Sequence, residues 1–207
     1  MDRLPTGWFA GILTGLFLAV TAAFGGLEAA ASAPVPDLAA GEEHRNRQFA
    51  LTVERAVLID ELPGSGTSVS DGQRILAVVV TAENVWNRAL PSAGASGVIG
   101  ALHVAELEGE AATSVARLDD ATLAPYLQPG VPAELVLTWA VDATTLSDGD
   151  VLHIDLRDFT LRTGRLITYG DSWGDPVTAA HLSVEIRDVG AGADSGSGSG
   201  SGEEGTG

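Results

Sequence analysis

The sequence predicts an all-β fold, an antiparallel β-sandwich preceded by one N-terminal transmembrane helix. Three observations carry this: an uncharged run from Leu4 to Leu27, strict alternation of apolar and polar residues in several later segments, and turn dipeptides at the boundaries between them. Trp8, Phe9, Ile12, Leu13, Leu16, Phe17, Leu18, Val20, Phe24 and Leu27 recur with only Gly, Ala and Thr between them. From Trp8 to Leu27 a helix rising about 1.5 Å per residue spans roughly 30 Å, the hydrocarbon thickness of a bilayer. A cleaved signal peptide is the alternative, and small-residue sites follow at Ala29-Ala30-Ala31 and Ala31-Ser32-Ala33. Pro34 would hinder cleavage at the second, and signal peptides usually carry a shorter apolar region of about 7 to 15 residues. Arg3 precedes the run and the next basic residues are Arg45 and Arg47. The positive-inside rule therefore leaves the N-terminus in the cytoplasm and exports the remainder, whether anchored in the membrane or secreted after cleavage. Gly11 and Gly15 form a small-xxx-small pair of the kind that lets two such helices approach.

Composition narrows the function classes. The chain has no cysteine, which removes disulfides, thiolate metal sites, cysteine nucleophiles and lipid attachment through an N-terminal cysteine. All 11 basic residues are Arg, the mark of a GC-rich genome, and a bacterial source fits. With 28 acidic residues the net charge is −17, which repels phosphate backbones and argues against nucleic-acid binding.

Residues 28–47, rich in Ala and Pro and then charged, have the composition of a linker. Residues 189–207 collapse into Gly, Ser and acid, a tail without apolar side chains to bury. The folded unit expected between them is 48–188, about the size of one domain. Within it Leu135, Leu137, Trp139 and Val141 alternate with polar neighbours, as do Leu182, Val184 and Ile186. In Val151 to Arg162 the apolar parity switches between Leu156 and Phe159, which predicts a bulge near Arg157-Asp158 and a strand long enough to pass between sheets. Ile75 to Ala82 is almost continuously apolar, as in a central strand covered on both faces. Shorter strands are expected at Phe49 to Ile59, Gly97 to Ala105, Ser114 to Leu118 and Arg165 to Tyr169, and a helical turn capped by Asp119 or Asp120 is expected before Leu127.

Three motifs in this unit, Val53-Glu54-Arg55-Ala56, Leu76 to Asn84, and the Leu127-Gln128-Pro129-Gly130 turn leading into Leu135 to Trp139, give it a family resemblance. The unit resembles telokin-like, immunoglobulin-like domains of unknown function found on bacterial envelope lipoproteins and membrane-anchored proteins. The resemblance implies an immunoglobulin-like sandwich serving as an accessory or binding module, and it supplies no site.

No catalytic residue, metal ligand set or cofactor site emerges from the spacing. His44, His103, His153 and His181 form no ligand motif, although His153 and His181 would face one another if their strands pair. No Gly-x-Ser-x-Gly elbow is present, and Gly64-Ser65-Gly66 lies in a turn-rich stretch. Candidate binding residues are instead Tyr169, Asp171, Trp173 and Asp175, which bring two aromatics and two carboxylates into an expected loop. Trp86 joins them from a second expected loop that also holds Arg88. A turn whose Trp173 folds back onto the core, and calcium chelation by Asp171 and Asp175, are the competing explanations. The expectation is a non-enzymatic, single-pass, extracytoplasmic envelope protein whose sandwich contacts another envelope protein. The alternative is a module that binds wall polysaccharide through Trp86 or Trp173.

Overall fold

The computed structural model describes residues 6–23, 34–164 and 170–190, and divides into two compact units, Met1–Pro34 and Val35–Gly207. In the first, α1 (Thr6–Ala23) is an 18-residue helix, about 27 Å long at the usual rise. Ile12, Leu13, Leu16, Phe17 and Leu18 are exposed on it, and a Cβ added at Gly11 or Gly15 would meet nothing within 4 Å. Among the described residues no helix is long and apolar enough to cross a membrane. The helix carries three Thr and three Gly, and Phe24 to Leu27, which complete the run in the sequence, lie outside the described residues.

The second unit is all β, apart from short helical turns. It begins before the expected boundary: β1 (Asp37–Ala39) and β2 (Glu43–Arg45) occupy part of the stretch with the composition of a linker. Strands of three residues are too short to show a period in sequence. What orders them is tertiary: Leu38 packs against the main core, while His44 Nε2 and Asn46 Nδ2 both reach Asp158 Oδ1, at 2.7 and 2.8 Å. Then follow β3 (Phe49–Ile59), β4 (Gln73–Asn84), β5 (Leu90–Pro91), α2 (Val98–Ala101), β6 (Leu102–Val104), β7 (Ser114–Arg117), β8 (Tyr126–Leu127), β9 (Pro132–Asp142), β10 (Val151–Gly164) and β11 (Gly170–Gly190).

One sheet places β1 and β10 on either side of β11, with β6 beyond β10; the other runs β3-β4-β9-β7, with β2 also on β3. The strand that joins them is β11, not β10 as expected. β11 pairs antiparallel with β10 up to Glu185, then runs parallel to β3 from Ile186. Irregularity does fall where the parity of β10 switches, with register shifts at Leu156/Arg157 and Asp158/Thr160, but the extra residues lie on β11, between Ala180 and Thr178 and between Val177 and Gly174, so the bulges belong to β11 and not to β10 as expected. A similar shift at Val53/Arg55 switches β3 from burying Phe49, Leu51 and Val53 to burying Ala56 and Leu58. One main core fills the space between the sheets, with Leu76, Val78 and Val80 from β4, Leu135, Leu137 and Trp139 from β9, Ile154 from β10, and Leu182 and Ile186 from β11. The opposite face of β4 buries Ile75, Ala77 and Val79 beneath Leu62 and Val69, so that strand is covered on both sides, as its unbroken apolar run predicts.

Two further expectations change. Gly97 to Ala105 forms a helical turn before it becomes a strand, because a short apolar run does not by itself distinguish the two. Gly100 permits this turn: a Cβ there would lie 2.0 Å from the Ala95 carbonyl oxygen. The stretch before Leu127 forms no α-helix. Asp120 Oδ1 accepts the Thr122 N–H at 2.9 Å, but Ala121 and Ala124 adopt positive φ, and Pro125 follows.

Candidate functional site

The Trp86 and Trp173 side chains meet at the end of the sandwich where β4 turns out of its sheet. Their ring centroids are 5.5 Å apart at 83°, an edge-to-face pair. The guanidinium of Arg88 lies 5.3 Å from the Trp86 ring centroid and 3.1 Å from Asp171 Oδ2, so one cation serves an aromatic face and a carboxylate together. Asp171 Oδ1 accepts the Thr163 hydroxyl at 3.0 Å. Together with Gln48, Pro91 and Ser96, the residues Trp86, Asp171 and Trp173 line a cleft of about 320 Å³.

Buried polar residues hold this arrangement. Asn84, the last residue of β4, is fully buried; its Nδ2 donates to the Arg88 and Leu127 carbonyls at 2.7 and 2.8 Å, and its Oδ1 accepts the Trp86 N–H at 2.9 Å. One side chain thus fixes the loop that carries both Trp86 and Arg88. Gln48, immediately before β3 and 1% exposed, donates from Nε2 to the Ser96 carbonyl at 2.6 Å. Because a carbonyl only accepts, this bond determines which end of the Gln48 amide is nitrogen, and its buried Oε1 has no hydrogen-bond partner among the described residues. Trp173 Nε1 is likewise buried without one. Gly97 allows the wall to close here, since a Cβ on it would lie within 2.7 Å of three carbonyl oxygens.

Of the five residues singled out from sequence, the structure brings Trp86, Asp171 and Trp173 together. Tyr169 lies outside the described residues. Asp175 goes elsewhere: its carboxylate accepts from Arg162 Nε at 2.7 Å, apart from the cleft lining. With Asp171 held by Arg88 and Asp175 by Arg162, the two carboxylates serve different cations. The expected loop is itself part of β11, and its Gly-Asp-Pro stretch forms a bulge, with Asp175 at positive φ and the register shifted between Gly174 and Val177. Trp173 does fold onto the core, as the competing explanation holds, yet it also forms a wall of the cleft. Sequence reasoning misses Gln48, Asn84 and Ser96. Asn84 stands out there only as the end of a strand, and the one signal for Gln48 is a polar residue abutting an apolar strand.

Three of the four histidines are hydrogen-bonded to carboxylates, while His103 Nδ1 lies 4.0 Å from Asp155 Oδ2, beyond hydrogen-bond reach. His44 meets Asp158 and His153 Nδ1 meets Glu106 Oε1, each at 2.7 Å, and His181 Nδ1 meets Asp155 Oδ1 at 2.7 Å. His153 and His181 do not face one another although their strands pair, because the register sets His153 opposite Ser183 and His181 opposite Asp155.

No family model matches the chain, and no curated protein matches it. Among solved structures it is similar to an uncharacterized β-sandwich protein from Clostridium difficile 630, at 8% identity and a TM-score of 0.41, over 73% of this chain and 94% of that one. It is also similar to a putative lipoprotein from Bacillus subtilis, at 13% identity and a TM-score of 0.35, over 69% of this chain; that match covers 38% of the Bacillus chain.

Proposed function

We propose that this protein is a non-enzymatic, extracytoplasmic module, held at the cell envelope through its N-terminal segment, that binds wall polysaccharide in the Trp86–Trp173 cleft. The observation that carries this is the convergence of two indole rings, set nearly at right angles, on a cleft that the polar residues Ser96, Asp171 and Ser172 also line. Sugar rings present apolar C–H faces rimmed by hydroxyls, and a site for them needs aromatic surface and hydrogen-bonding groups side by side. The uncharged N-terminal run and the positive-inside asymmetry support export, and the telokin-like resemblance agrees with an accessory role. The full chain is expected to co-sediment with purified wall glycan, and the double variant Trp86→Ala, Trp173→Ala to lose binding while keeping its circular dichroism spectrum. Retention of binding by that folded double variant would remove the glycan assignment. Mass measurement of the mature N-terminus distinguishes anchoring from secretion.

A protein partner is the second possibility, favoured by one feature: Leu118, Leu123, Tyr126 and Val131, between β7 and β9, are exposed large apolar side chains, Tyr126 at 68%. Cross-linked partners recovered from solubilised membranes should disappear with Leu123→Asp, Tyr126→Ser. Partners recovered unchanged with that variant would place the contact elsewhere.

A further inference from the structure

One wall of the Trp86–Trp173 cleft is a strand edge. Side chains alternate between the two faces of a strand, so a groove lying over one face touches every second residue. Here Asp171, Ser172 and Trp173, in unbroken succession, line the cleft, which therefore runs along the edge of β11 and not over its face. β10 occupies one side of β11 from Gly170 to Glu185; on the other side β1 pairs with His181 to Ser183, and β3 from Ile186 onward. Among the described residues no strand pairs with that second side between Gly170 and Ala180.

The register says which backbone groups this edge presents. In an antiparallel pair, successive residues of a strand bond to opposite sides. The His153 N–H turns away from β11 to the Glu106 carboxylate, at 3.1 Å, so the even-numbered residues of β10 bond to β11. The extra residues of the irregular stretch lie on β11, and the parity of β10 carries through to Gly164. Thr160, Arg162 and Gly164 thus face Gly174, Ser172 and Gly170, which leaves Asp171 and Trp173 each to direct an N–H and a C=O at the cleft. No hydrogen bond among the described residues reaches those groups. The bulge from Gly174 to Val177 ends the row. Across the cleft stand Leu90 and Pro91, already paired with β8 behind them. A space of about 320 Å³ between these walls admits a single extended chain and shuts out the edge of a second sheet.

An unpaired edge beside two indoles offers two kinds of recognition together. Main-chain hydrogen bonds suit an extended peptide, and aromatic surface suits a sugar ring. A wall glycan whose sugars bear a short peptide branch carries both. Resting on the glycan assignment above, we propose that the cleft binds the point where such a branch joins its sugar. The sugar lies against Trp86 and Trp173, and the first peptide units run along Asp171 and Trp173 as an added strand. The volume is at the small end for ligand pockets, which fits a junction and not a length of either polymer.

The test is calorimetric titration of the full chain in detergent with three probes: a wall-derived disaccharide tetrapeptide, the same disaccharide with its lactyl carboxyl capped as a methyl ester, and the free tetrapeptide. The peptide-bearing disaccharide should bind at least about tenfold tighter than the capped one, the worth of about one net hydrogen bond. Asp171→Pro removes the outward N–H, and proline is tolerated at an edge position whose N–H bonds to no neighbouring strand. Asp171→Ala loses the same carboxylate but keeps that N–H. The preference for the peptide-bearing probe should survive Asp171→Ala and vanish in Asp171→Pro. In the unaltered chain, that probe should slow amide exchange at Asp171 and Trp173, read by NMR, about tenfold more than the capped probe does, a measurement that needs no variant to fold. Equal binding of the two disaccharides, a preference kept in Asp171→Pro or already lost in Asp171→Ala, or equal slowing of exchange overturns the added strand and leaves glycan binding standing. No binding of either disaccharide overturns both. Binding of the free tetrapeptide as tight as that of the disaccharide tetrapeptide overturns both in favour of a peptide ligand.

Discussion

At the scale of single residues, a few buried or clamped side chains do work that their neighbours cannot replace. Asn84 satisfies two carbonyls and one N–H from inside the protein, and no apolar residue of its size can do so. Asn84→Ala is expected to cost about 2–4 kcal/mol in urea denaturation, since buried groups would lose their partners, and to abolish glycan binding by releasing Trp86. An unchanged unfolding midpoint would show that backbone contacts alone hold the loop. Arg74 is clamped between carboxylates: Nε donates to Asp60 at 2.8 Å, and both terminal nitrogens to Asp188 at 2.6 Å. The Arg74 bonds, helped by the Gly190 N–H, depress the Asp188 carboxyl to about 2. A carboxyl whose folded value is depressed stabilises the fold above its unfolded pKa of about 3.9. That contribution fades as pH falls from about 4 toward 2. Thermal melts of Asp188→Asn should show a lower Tm than the parent at neutral pH and a gap that narrows across this window. A gap that stays constant down to pH 2 would assign the acid sensitivity to other groups.

At the scale of elements, bulges and caps decide what each strand presents. The irregular stretch of β10 opposite the β11 bulges offers Asp158 to His44 and Asn46, and Asn46 Oδ1 in turn accepts the N–H groups of Gln48 and Phe49 at 2.8 and 2.7 Å. The turn before β3 is thereby docked, and Gln48 placed for the cleft. On the outer face of the β4-β9 sheet, the segment after β3 is pinned by a buried hydrogen bond between the Thr67 and Thr138 hydroxyls, 2.7 Å apart. Thr138→Val keeps the shape and leaves the Thr67 hydroxyl unpaired. It should cost about 1–2 kcal/mol and speed amide exchange in residues 60–72, as read by mass spectrometry. Unchanged exchange there would mean that Leu62 and Val69 pin the segment by themselves. Alternation in β9 and β11 and the continuous run of β4 make these strands legible in the sequence. β1, β2 and β8 are not, because two or three residues cannot carry a period and their order comes from what they dock on.

At the scale of the whole molecule, the division at Pro34 and Val35 makes truncation informative. A chain begun at Val35 should melt at the temperature of the full chain's sandwich. One begun at Gln48, the start that composition suggests, loses β1, β2 and the burial of Leu38, and should be less stable by roughly 2 kcal/mol or more. Equal melting of the two would return residues 35–47 to the role of a linker. The β class, the parity of the long strands, its switch in β10 and the acidic, cysteine-free character are all written in the residues themselves, because each depends on composition or on neighbours within a few positions. The same residues mark Trp86, Asp171 and Trp173 as types suited to recognition, but nothing local says that they meet. Their meeting belongs to long-range packing. Trp86 and Trp173 lie far apart in the chain and become neighbours through the β11 crossover and the Asn84 staple, and Gln48 is fixed beside them only because the Ser96 carbonyl is folded against its nitrogen.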